Sequence, residues 1–134
     1  MAEDKYFFYY IGNYPIETIN NSLAVNIRDI DSKKTLFNAY NEQLRFPFYF
    51  GFNWDALKDC LCSLDEWLKE KGIMIIHDEL PHLEEKELLI YITMLYDVCE
   101  LWEKYPDVLN FQVFFPEKDK TTISKILENI NSRF

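Results

Sequence analysis

FPFYFGFNWDALKDCL, residues 46–61, is an aromatic run broken by Pro47 and Gly51 that passes through Asn53 into residues with helical spacing. Pro47 presets its own backbone angle and Gly51 tolerates turn conformations, so the first half reads as a tight loop. Asn53 is a suitable helix N-cap, because its side-chain oxygen can accept from a backbone N–H one turn on. Beyond it Leu57, Cys60, Leu61, Leu64 and Leu68 recur at intervals of three, four and seven. That spacing predicts a helix from Trp54 to Lys71, with Gly72 placed to end it. Asp55 in the first turn is favoured by the helix dipole, and Asp59 shares its face, beside the leucine stripe. Stabilisation of the helix start is a sufficient reason for Asp55 alone; Asp59 has less structural excuse. For Phe46, Phe48, Phe50 and Phe52, core packing is expected for most, and Tyr49 is the ring expected to face outward. Two carboxylates beside an exposed aromatic make a surface suited to a phosphate-binding cleft.

Working outward, residues 6–10 are aromatic without helical spacing and predict a strand, ended by Gly12, Asn13 and Pro15. Leu23, Val25 and Ile27 alternate with Ala24, Asn26 and Arg28, which predicts a second strand over residues 23–30. Asp31 or Ser32 can cap a following helix with Leu36, Phe37, Tyr40 and Leu44 on one face, stopping before Pro47. The apolar run 73–76 has the character of a strand buried on both faces of a parallel sheet. Pro81 can sit in the first turn of a long helix ending near Lys104, with Leu88, Ile92, Leu95, Cys99 and Trp102 inward and Pro106 past its end. Residues 111–115 read as another strand, and 121–130 as an amphipathic helix carrying Ile123, Ile126, Leu127 and Ile130. Strands alternating with helices predict an α/β fold, a three-stranded parallel sheet flanked by helices. Residues 6–10 add a strand to an edge, and the C-terminal helix is a further addition.

At 134 residues the chain is expected to be one domain, 1–134, with no internal boundary. Hydrophobic residues make up 49% against only 3 Gly and 5 Pro, which predicts a packed core with few long loops. The net charge is −9, and residues 78–107 carry nine acids against two bases, so one side should be strongly negative. Nucleic acid or an anionic membrane would be repelled, and a basic macromolecule is the natural partner. Charge alone leaves open the plainer role of keeping the protein soluble. The N-terminal MAEDKYFFYYIGNY has acids where a secretory leader needs bases, and no stretch is long enough to span a membrane, so a cytoplasmic protein is expected. Cys60, Cys62 and Cys99 are odd in number and are expected to be reduced, buried thiols. A monomer is favoured.

His77, Asp78, Glu79 and His82 place imidazole and carboxylate at a strand end, which invites a metal or hydrolase reading. Their spacing matches no metal motif, and a polar turn is expected instead, with no metal or other cofactor. The chain has no Gly-x-Ser-x-Gly elbow and no phosphate-binding glycine pattern, and Cys60 falls on the inward face. An enzyme is not expected.

The 46–61 stretch resembles the barstar family, the intracellular inhibitors of barnase-like ribonucleases, whose recognisable run is Pro-x-Tyr-Tyr-Gly-x-Asn-x-Asp-Ala-Leu-x-Asp-Cys-Leu. Pro47, Tyr49, Gly51, Asn53, Asp55, Ala56, Leu57, Asp59, Cys60 and Leu61 stand at the matching places. The likeness extends over residues 23–115, with 1–22 and 116–134 as additions. It implies a barstar-like fold and a ribonuclease inhibitor, an immunity protein of the toxin–antitoxin kind that occludes a nuclease active site. The implied partner is a basic ribonuclease or nuclease toxin. By position Tyr49, Asn53, Asp55 and Asp59 would touch it, Asp59 nearest the catalytic cleft, with Trp54 and Lys58 on the same helix. A glutamate late in the long helix would add a contact; Glu103 or Glu100 can match it. Lys58 stands where the family has a tryptophan and Trp54 where it has a leucine. The helix also runs longer before the next strand, with Trp67 standing for the aromatic at its end. These departures bear on the identity of the target, and a barstar-fold binding module for a non-nuclease partner is the alternative.

Overall fold

Residues 4–12 and 21–131, with side chains through 129, are described by the computed structural model. Asn13 and Pro15, expected to end the first strand, and the side chain of Ile130 lie outside the described residues. The strands β1 (Phe7–Tyr10), β2 (Ser22–Ile27), β3 (Gly72–His77) and β4 (Asn110–Pro116) form one parallel sheet in the order β1-β4-β3-β2. The helices are α1 (Lys33–Leu44), α2 (Trp54–Leu61), α3 (Glu85–Glu103) and α4 (Lys120–Asn131), with 3-10 turns at Leu64–Glu66 and Glu117–Asp119. The expected α/β architecture is therefore present, and β1 takes the edge beside β4.

Alternation sets the core. Val25 and Ile27, Ile73 and Ile75, and Phe111, Val113 and Phe115 point to one face of the sheet, as period-two side chains must. There they form a single cluster with Leu36, Tyr40 and Leu44 of α1, Leu57 and Leu61 of α2, Ile92, Leu95 and Trp102 of α3, and Ile123 and Leu127 of α4. Every residue of β3 is buried, as expected for a central parallel strand. At the outer edge of β2 Gln43 covers Asn26, its Oε1 accepting from the Asn26 N–H and its Nε2 donating to the Asn26 carbonyl, both at 2.8 Å.

Three boundaries differ from the sequence-based expectation. β2 stops at Ile27, because Asp29 takes the left-handed conformation at φ 56° and turns the chain away. Pro81 is not in a helix: it lies buried in the link from β3 to α3, where the His82 N–H donates to the Ile30 carbonyl at 3.0 Å. α3 starts only at Glu85. The largest difference is α2, which ends at Leu61 rather than running to Lys71. In a continuing helix the Leu61 carbonyl would accept from the backbone four residues on; here it accepts the Trp102 indole N–H at 2.9 Å instead. The chain then passes through a 3-10 turn that still buries Leu64 and Leu68. Trp67 folds back to donate its indole N–H to the Leu44 carbonyl at the end of α1, at 2.9 Å. Gly72 opens β3 rather than closing a helix, and a Cβ on it would lie 2.4 Å from the Ser22 hydroxyl oxygen on the neighbouring strand.

His77 is the last residue of β3 and wholly buried, not part of a polar turn. Its Nδ1 meets the Phe114 carbonyl at 2.9 Å and its Nε2 meets the Tyr91 hydroxyl at 2.7 Å. A carbonyl only accepts, so Nδ1 carries the proton and Nε2 accepts from Tyr91, whose oxygen lies 2.5 Å from that of Tyr40. The imidazole also stacks on Phe115 with centroids 4.0 Å apart. Burial holds the imidazole neutral, lowering its pKa from the ordinary 6.5 to about 3. The unfolded chain binds a proton there at higher pH than the folded one, so this contribution to stability is complete above about pH 6.5 and is lost as pH falls toward 3. Between those limits His77 should make stability fall by about 1.4 kcal/mol per pH unit. Denaturant unfolding from pH 4.5 to 6.5 should show a shallower pH slope in His77→Gln than in the parent. Equal slopes would mean that His77 is not buried neutral.

Candidate functional site

The loop before α2 is built on two buried rings. Phe46 and Phe50 pack edge to face at 4.8 Å, Phe46 also against Trp67 and Phe50 against Phe37. The Phe50 N–H closes a turn on the Pro47 carbonyl at 3.0 Å. Only these two of the four phenylalanines are core; Phe48 is wholly exposed and Phe52 is 45% exposed, against the expectation that most would be buried. A loop of this length anchored at Phe46 and Phe50 must turn the rings between and beyond them outward. Tyr49 is exposed as expected and sits edge to face on Phe48 at 5.7 Å.

Asn53 caps α2, its side-chain oxygen accepting from the Ala56 N–H at 2.8 Å. Leu57, Cys60 and Leu61 face the core, which leaves Asp55 and Asp59 exposed on the opposite side. Neither carboxylate makes a hydrogen bond or ion pair among the described residues. Lys58, next to them, pairs with Asp97 of α3 at 3.2 Å. Trp54 is half-buried: its indole packs on Phe37 and Tyr91 and donates to Glu87 at 2.6 Å. Lys33 meets the same Glu87 carboxylate at 3.4 Å, and the Trp54 hydrogen bond and Lys33 together hold that carboxyl below its usual range.

The structure thus leaves Tyr49, Asn53, Asp55 and Asp59 exposed on the loop and the helix that follows it, with Lys58 and Trp54 half-buried. Glu103 stands elsewhere, beside Lys5 and Tyr6 ahead of β1, where its carboxylate helps to push the Tyr6 hydroxyl above its ordinary pKa. It lies six residues beyond Asp97, about 120° around the helix at 3.6 residues per turn. The α3 acids that border α2 are Glu87, on Trp54, and Asp97, on Lys58. The spacing of Ile90, Thr93 and Asp97, three and four apart, is the sequence signal that puts Asp97 on one stripe with them. Phe48 was legible only as one of four candidates for burial.

No nucleophile stands ready on this surface. Burial first, then the Asp59 carboxylate, push the Cys60 thiol above its ordinary pKa, and burial does the same to Cys62 and Cys99. Both nitrogens of His77 are engaged inside the protein, and His82 is exposed beside Glu79 at 3.4 Å. Among the described residues no group of three His, Cys, Asp or Glu side chains is placed to hold a metal ion, and no helix is long and apolar enough to cross a membrane.

The chain is thus an acidic α/β domain that presents a braced aromatic loop and two exposed carboxylates on the next helix. The sequence profile of the barstar family, described as barstar (barnase inhibitor), matches residues 20–115, and the chain belongs to that family. No curated protein matches the chain in direct sequence comparison. β1 and α4 lie outside the matched residues, whereas the 46–61 surface lies wholly within them.

Proposed function

We propose that the chain inhibits a basic ribonuclease by occlusion, with Asp55 and Asp59 standing where RNA phosphates would bind and Tyr49 and Asn53 filling the cleft around them. The observation that carries this reading is the pair of exposed carboxylates on one face of α2, free of ion pairs, beside an exposed aromatic loop. No bond is made or broken, and the role is that of an immunity protein acting in the cytoplasm on a toxic nuclease. Lys58 supports a second reading, a binding module for a non-nuclease partner, because its ammonium stands between the two acids in sequence. Its pairing with Asp97 offsets that charge and keeps the inhibitory reading ahead.

The chain should inhibit RNA hydrolysis within a panel of basic ribonucleases that includes barnase and any nuclease encoded beside its own gene. Inhibition of none would overturn the reading. Association should be steered by charge, since a chain of −9 meets a target that must itself be basic to hold RNA. Barnase and barstar are the reference pair for such steering. Stopped-flow association should slow steeply as salt rises and the Debye length shrinks from about 30 Å at 0.01 M to about 8 Å at 0.15 M. A flat salt dependence would remove electrostatic mimicry from the mechanism.

A further inference from the structure

Single exposed apolar side chains are ordinary on a protein surface. Phe48, Tyr49 and Phe52 are different: wholly, 70% and 45% exposed, they stand within five residues on a loop braced from below by Phe46 and Phe50. Phe52 also holds a left-handed backbone at φ 52°, a conformation that disfavours a bulky side chain, while its ring leans on Phe50 at 4.7 Å. A sequence tuned only for stability would place Gly or Asn there and a polar residue at 48. Phe48 and Phe52 are not among the motif matches quoted above, so the resemblance gives them no role.

We propose that Phe48 is the apolar anchor of the partner contact, entering an apolar recess that borders the partner's basic cleft, with Phe52 covering its flank. This rests on the inhibitory reading above and adds the partner's chemistry: cations for Asp55 and Asp59, and beside them an apolar-walled pocket for one aromatic ring. A preformed loop loses little conformational freedom on binding, and a buried aromatic ring removes a large apolar area from water. A second copy of this chain is the wrong occupant, because pairing these faces would bring the Asp55 and Asp59 carboxylates of two −9 molecules together. Phe48 carries no charge, so it acts on dissociation and leaves the salt-dependent encounter alone.

The test compares Phe48→Ala, Phe48→Leu, Asp59→Ala and Ile11→Ala against whichever ribonuclease of the panel the unaltered chain inhibits most strongly. Ile11, 84% exposed just past β1, is the control for loss of an exposed apolar side chain outside this surface. Phe48→Ala should dissociate at least ~30-fold faster, the hot-spot range, with association and unfolding midpoint little changed. Phe48→Leu should recover part of the loss, and Ile11→Ala should bind like the parent. Unchanged dissociation in Phe48→Ala, with Asp59→Ala weakened, would overturn the anchor and leave the inhibitory reading standing. If Phe48→Ala instead lowered the mass of the free protein in sedimentation, a second copy would be the occupant and the proposal would be wrong. If the unaltered chain inhibited no ribonuclease, the inhibitory reading and the anchor would fail together.

Discussion

Leu57→Ala lowers unfolding stability by about 2–5 kcal/mol, the cost of emptying a packed leucine site. Leu57 has no exposed surface and belongs to the cluster that joins α2 to the sheet, so the lost methyl groups leave a void that its neighbours fill only in part. The denaturant midpoint should drop with the m-value unchanged, because the surface exposed on unfolding is nearly the same. Leu57 lies between Asp55 and Asp59 in sequence but opposite them on the helix, so molecules that remain folded should still inhibit. A variant as stable as the parent yet unable to bind would mean that the faces of α2 are assigned the wrong way round.

The start of α2 was legible in the sequence because its causes are local. Asn53 caps three residues on, and the leucine spacing begins at once. Its end was not legible, because Leu64 and Leu68 keep helical intervals through a 3-10 turn, and the group that takes the Leu61 carbonyl, the Trp102 indole, is 41 residues away. The same holds for His77, whose partners Tyr91 and Phe114 come from other elements and turn an apparent polar turn into a buried hydrogen-bonded site. The two-sided burial of β3 was readable from the apolar run from Ile73 to Ile76, and β2 from its alternation, since burial on one or both faces writes itself directly into the residue pattern. Of the candidate site, the residues on α2 could be placed by helical arithmetic. On α3 the spacing of Ile90, Thr93 and Asp97 marks a stripe, but which stripe of α3 faces α2 is set by the packing of the two helices and not by spacing within α3.

Asp59→Ala should weaken inhibition by about 2–5 kcal/mol, the loss on truncating one side of a desolvated charge pair, for which barnase and barstar are themselves the reference case. The folded chain gives Asp59 little reason to exist. It is exposed, free of ion pairs, and sits in the last turn of an eight-residue helix, where the dipole disfavours a carboxylate. Alanine has the higher helix propensity, so removing the acid should leave stability within roughly 0.5 kcal/mol of the parent. Asp55 differs in this respect, because in the first turn the same dipole favours it. An acid kept against local preference is the mark of a residue whose use lies in binding.

The most direct test of inhibition by this face is a paired measurement on Asp59→Ala: its unfolding midpoint, and its inhibition constant against the ribonuclease the parent inhibits most strongly. A midpoint matching the parent with inhibition weakened at least ~30-fold is the predicted result; an unchanged inhibition constant would show that α2 does not present the inhibitory surface.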